Sequence, residues 1–122
     1  MNINIKATNI DLAPTLKEYV EKKLSHIEDK LIDNNQGGVS CDVEVGKTTR
    51  HHKHGDIYRA EFNLHIAGKF YRTEEEESNL YAAIDKAKDE LFRTVKRDKK
   101  KTIKRNRRGM LKIKNILRGL KW

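Results

Sequence analysis

The residue types able to do covalent or metal chemistry are few in this sequence and poorly spaced for it. Cys41 is the one cysteine, and it falls in the inward register of the alternation Val39, Cys41, Val43, Val45, where a thiol is a small core residue rather than a nucleophile. His51, His52 and His54 raise the question of zinc, because imidazole is the commonest ligand among side chains. Adjacent His51 and His52 diverge in most backbone conformations, however, and no cysteine or carboxylate stands at ligand spacing from them. With Lys47, Arg50 and Lys53 beside them, the histidines read as a partly cationic loop able to touch phosphate or stack on a base. The acids Glu74–Glu77 read as a feature of a helix start and of solvation rather than an acid/base pair. There is no Ser-His-Asp arrangement and no Gly-rich phosphate loop. The sequence predicts no enzyme, no metal and no cofactor.

What the chain holds in quantity is positive charge. Its 122 residues carry 27 Lys+Arg against 18 Asp+Glu, a net of +9. Residues 1–98 come to −2, whereas residues 99–122 contain eleven Lys+Arg and no acid. Such a run binds phosphate backbones by releasing counterions, which makes affinity fall steeply with salt. An acidic membrane or an acidic protein is the alternative partner. The length admits one domain, and 36% apolar against 37% charged residues suits a modest core under an ionic surface. No run approaches the roughly 18–20 apolar residues of a membrane span, and Met1-Asn2-Ile3-Asn4-Ile5 has no signal-peptide layout. A lone cysteine forms no internal disulfide, so the expected location is cytoplasmic.

Periodicity supplies the elements that must position these charges. Ile3, Ile5 and Ala7 alternate with polar residues as a half-buried strand over residues 2–7. Pro14 suits the first turn of a helix, and Leu16, Val20, Leu24, Ile27 and Leu31 recur at helical spacing, predicting a helix over 14–33. The turn formers 33–38 end it. Val39–Val45 and Tyr58–Ile66 alternate as two further strands, separated by the polar loop 47–56. Ala67-Gly68 folds Lys69–Thr73 back as a fourth strand. Ser78 is placed to cap a second helix whose stripe is Leu80, Ile84, Ala87, Leu91 and Val95, running toward Ile103. The order βαβββα predicts an α+β fold with two helices packed on one face of a four-stranded sheet.

On the second helix Lys86, Arg93, Arg97, Lys100 and Lys104 fall on one side, a ridge roughly 27 Å long at 1.5 Å per residue. Lys96, Lys99 and Lys101 widen it. On the first helix Lys22, Lys23 and His26 join this surface if the two helices turn them the same way. The last segment, with Met110, Ile113, Ile116, Leu117, Leu120 and Trp122 among cations, is basic and amphipathic. It divides the chain into a domain, 1–101, and a tail, 102–122.

These pieces resemble a known family. Asn4-Ile5, the stretch Ile10-Asp11-Leu12-Ala13-Pro14-Thr15-Leu16-Lys17-Glu18-Tyr19-Val20, and above all Asn79-Leu80-Tyr81-Ala82-Ala83-Ile84-Asp85 leading to Asp89-Glu90-Leu91-Phe92-Arg93 are similar to the ribosome hibernation-promoting factors and ribosome-associated translation inhibitors, also catalogued as sigma-54 modulation proteins. The resemblance covers about residues 2–101. It implies a fold like a double-stranded-RNA-binding domain and a non-enzymatic role. Its partner would be the small ribosomal subunit and its ribosomal RNA, where the protein would occupy the path of messenger and transfer RNA, inhibit translation and protect idle ribosomes. Lys23 and His26 match basic positions of the family's first helix, and Arg93, Arg97, Lys99 and Lys101 those of the second. Lys22, Lys96 and Lys100 follow from helix geometry alone. Ala13 stands where the family often has a capping Thr, and Glu90 where a Lys is usual, which weakens the ridge at Lys86. The tail is too short for the second domain with which long members pair ribosomes, so the expectation is a monomer without its own dimerisation domain. Two other classes stay open: a general nucleic-acid-coating protein governed by the tail, and a modulator of a transcription factor.

Overall fold

In the computed structural model, which describes residues 1–33, 38–48 and 55–119 with side chains to residue 109, the alternating segments form one mixed sheet. Its strands are β1 (Asn2–Thr8), β2 (Ser40–Thr48), β3 (Ile57–Ile66) and β4 (Lys69–Glu77), in the order β1-β2-β3-β4. The first pair is parallel and the other two are antiparallel. Helix α1 (Pro14–Leu31) makes the crossover that a parallel β1–β2 pair requires, and α2 (Leu80–Gly119) follows β4.

The register sorts side chains by face. Ile5, Val43, Phe62 and Thr73 lie abreast across the four strands, as do Ile3, Cys41, Leu64 and Tyr71. Leu16, Val20, Leu24, Ile27 and Leu31 of α1 and Ala83, Ile84, Ala87, Leu91 and Val95 of α2 close over that face to form a single core. The predicted stripe of α1 is therefore buried, and so is that of α2 from Ile84 to Val95, while Leu80 is half-buried and Ile103 is exposed. The opposite face is polar, with Asp42, Glu44, Glu61, Glu74 and Glu76 outnumbering Lys6, Arg59 and Arg72 in the outward register. Glu61 is held there by Arg59 at 2.7 Å and Arg72 at 2.8 Å, and the exposed Phe70 packs on His65.

Three local expectations change. The fourth strand runs on to Glu77 rather than stopping at Thr73, so Glu74–Glu77 pair with Tyr58–Glu61 instead of opening a helix. Arg59 on Glu74 at 2.6 Å and Lys86 on Glu77 at 2.6 Å offset charges that would otherwise disfavour the strand. Ser78 is not the cap of α2: Asn79 Oδ1 accepts from the amides of Tyr81 at 2.8 Å and Ala82 at 3.3 Å. Helix α1 stops at Leu31, two residues early. Helix α2 runs past residue 101 without a break to Gly119. His51, His52 and His54 lie outside the described residues. Among the described residues, no helix is long and apolar enough to cross a membrane, and no cluster of His, Cys, Asp or Glu has the geometry to hold a metal ion.

Candidate nucleic-acid interface

Helix α2 is fixed from below and from one side. Thr73 Oγ1 donates to the Ala87 carbonyl at 2.9 Å, the Tyr71 hydroxyl donates to Asp98, and Lys69 Nζ donates to Asp98 at 3.0 Å and to Thr102 at 3.2 Å. Burial, and then the Asp98 bond, push Tyr71 up to about 12, while Tyr71 and then Lys69 hold Asp98 below its ordinary value. Across the helix pair, Asp85 accepts from the Tyr19 hydroxyl at 2.5 Å and binds Lys23 at 3.1 Å, with the Tyr19 and Tyr81 rings edge to face at 4.8 Å. The hydrogen bond to Asp85 raises Lys23 above the usual lysine range.

These ties give α2 two flanks. Lys86, which reaches Glu77 of β4, marks the outer flank; Asp85, Lys88 and Phe92, which reach α1, mark the inner one. At 100° per residue, Arg93, Arg97, Lys100 and Lys104 share the outer flank with Lys86. The predicted ridge thus exists as one side of a single helix. Lys86 and Arg93 are paired, the latter with Glu90 at 2.8 Å, whereas Arg97, Lys100, Lys101 and Lys104 are exposed and make no ion pair among the described residues.

Lys23 and His26 do not join that ridge; they face the inner flank. His26 lies against Phe92, ring centroids 5.2 Å apart and planes 16° from parallel, and its Nδ1 accepts from Lys88 at 2.7 Å. Lys96 bridges the flanks from the exposed crest, its ammonium 6.0 Å from the Phe92 centroid. Lys22 is exposed on α1. Lys99 is half-buried and donates to the Leu31 carbonyl, closing the C-terminal end of α1, so its charge is engaged within the fold.

Sequence reasoning did not single out Lys88, Arg105, Arg107 or Arg108. Lys88 is buried at 9% exposure between the helices, a placement that a lysine's polarity argues against. The three arginines are exposed where α2 has passed the sheet, and their signal was present in the acid-free run after Asp98. Cys41 is fully buried, and burial pushes its thiol up to about 12, as a core residue requires. The arrangement is a rigid, two-flanked cationic surface whose chemistry suits phosphate.

Comparison with known proteins agrees with this fold. Residues 3–103 match the family described as sigma 54 modulation protein / S30EA ribosomal protein. The chain is 32% identical to a ribosome hibernation promotion factor of Deinococcus radiodurans over 86% of this chain and 52% of that one. It is 30% identical to the ribosome hibernation promoting factor of Azotobacter vinelandii over 86% of this chain and 89% of that one. It thus spans about half the length of the first relative and most of the second. The crystal structure of the Thermus thermophilus Protein Y N-terminal domain superposes with a TM-score of 0.66 at 32% identity, over 80% of this chain and 98% of that one. A continuous βαβββα match, carried by the same helices that hold the cationic face, places this chain in the family of sigma-54 modulation and S30EA ribosomal proteins, to which the ribosome hibernation promoting factors belong.

Proposed function

We propose that this chain is a non-enzymatic factor that binds the small ribosomal subunit through the exposed surface of α1 and α2, occupies the path of messenger and transfer RNA, and so silences and protects idle ribosomes. It acts as a cytoplasmic monomer and needs no cofactor. The observation that carries this reading is the row of cations Arg97, Lys100, Lys101 and Lys104, exposed and without an ion pair among the described residues, on a helix held at fixed height over the sheet. Cations spaced along a rigid rod read backbone shape rather than base sequence, which is what folded RNA presents. The family supplies the ribosome as the RNA in question.

Co-sedimentation with separated ribosomal subunits at about physiological salt, with translation of a reporter message in parallel, tests it. Saturable, near one-to-one binding to the small subunit and loss of translation are expected. Arg93→Glu with Arg97→Glu is expected to weaken binding more than removal of residues 105–122. Binding that does not saturate, is equal on both subunits and vanishes with the 105–122 segment would overturn the proposal in favour of a nucleic-acid-coating protein.

A further inference from the structure

His26 is counted above with the cations, yet its surroundings suit another purpose. Its ring is stacked on Phe92, centroids 5.2 Å apart and planes 16° from parallel, and the residue is nevertheless exposed, so one face is packed and the other is open. Lys88, 9% exposed, lies beneath with its ammonium 2.7 Å from His26 Nδ1 and 5.5 Å from the Phe92 centroid. An ammonium donor at Nδ1 makes that nitrogen an acceptor and leaves the ring proton to Nε2. The imidazole is held in orientation by a buried cation at its edge and by an aromatic ring against one face. A side chain kept for its charge gains nothing from being stacked and hydrogen-bonded in this way, whereas a flat surface gains its orientation.

Cations flank this plate. Lys22 and Lys30 stand one turn to either side of His26 on α1, both exposed, and Lys96 approaches the Phe92 ring from α2 at 6.0 Å. Aromatic faces set among backbone-directed cations are the means by which proteins hold unpaired nucleotides, the base stacking while its phosphates pair. We propose that His26, backed by Phe92, is a stacking platform for one unpaired nucleobase of the bound RNA, and that it works through its ring and not its charge. The inference rests on the RNA-binding reading above and adds a single-stranded contact to the phosphate contacts of the α2 ridge.

Four variants of the full chain separate ring from charge: His26→Trp and His26→Phe keep an aromatic face, His26→Lys keeps a cation, and His26→Gln keeps an acceptor for Lys88 without a ring. Binding to purified small ribosomal subunits is measured for each, with thermal unfolding to confirm that each is folded. The two aromatic variants are expected within about threefold of the unaltered chain, and the Lys and Gln variants weaker by about tenfold or more, the range of one lost base stack. Retained binding by His26→Lys with loss in both aromatic variants would show a cationic contact and overturn the inference. Equal binding by all four would do the same. Failure of the unaltered chain to bind the subunit removes the RNA-binding reading itself, and this inference with it, an outcome distinct from either.

Discussion

At the scale of single residues, contacts across elements matter more than residue type. A Cβ at Gly46 would lie 2.5 Å from the Thr8 carbonyl oxygen and 3.1 Å from Thr8 Cβ, where β1 runs alongside β2. Gly46→Ala is therefore expected to cost roughly 1–3 kcal/mol in chemical denaturation, because backbone must move to admit it. Tyr71 and Asp98 make opposite pH predictions. Tyr71 is raised in the folded chain to about 12, so its contribution is complete below pH 10 and is lost as pH rises toward 12. Burial and the Asp85 hydrogen bond raise Tyr19 as well, so tyrosinate absorbance should show two of the four tyrosines, Tyr71 and Tyr19, titrating late. Asp98 is lowered, so its contribution is present above its ordinary 3.8 and is lost as pH falls below it. Asp98→Asn should lower Tm at neutral pH, and the difference from the unaltered chain should close in acid. The hydrophobic stripes announced the core residues, but nothing in the sequence announced the burial of Lys88, because its ammonium, beside Asp89 at 3.7 Å, meets His26 and Phe92 only through the tertiary packing of the helices.

At the scale of elements, periodicity located every strand and helix, while their ends depended on chemistry that periodicity does not see. The run Glu74–Glu77 looked like a solvated helix start until Arg59 and Lys86 arrived from other parts of the chain. The choice of Asn79 over Ser78 as cap followed from where β4 released the backbone. Two ends are open to improvement. Ala13 precedes α1 with no side-chain hydrogen bond, and Ala13→Thr should add about 1 kcal/mol of stability by chemical denaturation. Asn79→Ala, conversely, should cost about 1 kcal/mol through the amides of Tyr81 and Ala82. The β3–β4 turn places Ala67 at φ 46° and Gly68 at φ 82°, both left-handed. Asparagine tolerates that region better than alanine, so Ala67→Asn should raise Tm, with a gain of up to about 1 kcal/mol.

At the scale of the whole molecule, the sequence showed how much positive charge there was but not how it was shared between two flanks. Composition placed the excess after Asp98; only the orientation of α1 against α2 separated the inner group around His26 from the outer ridge of Arg97 and Lys104. Because Arg105, Arg107 and Arg108 stand exposed beyond the sheet, Arg→Gln at all three should flatten the plot of log affinity against log salt by about 0.7–0.9 per lost phosphate contact. Unchanged slope would place these side chains away from the RNA. The sheet's outer face, where acids outnumber bases, lies opposite the cationic helices. A body charged in this sense has a dipole moment directed through its thickness, and an approaching polyanion turns it before contact. Collisions then arrive helix side first, so added salt should slow association far more than it hastens release.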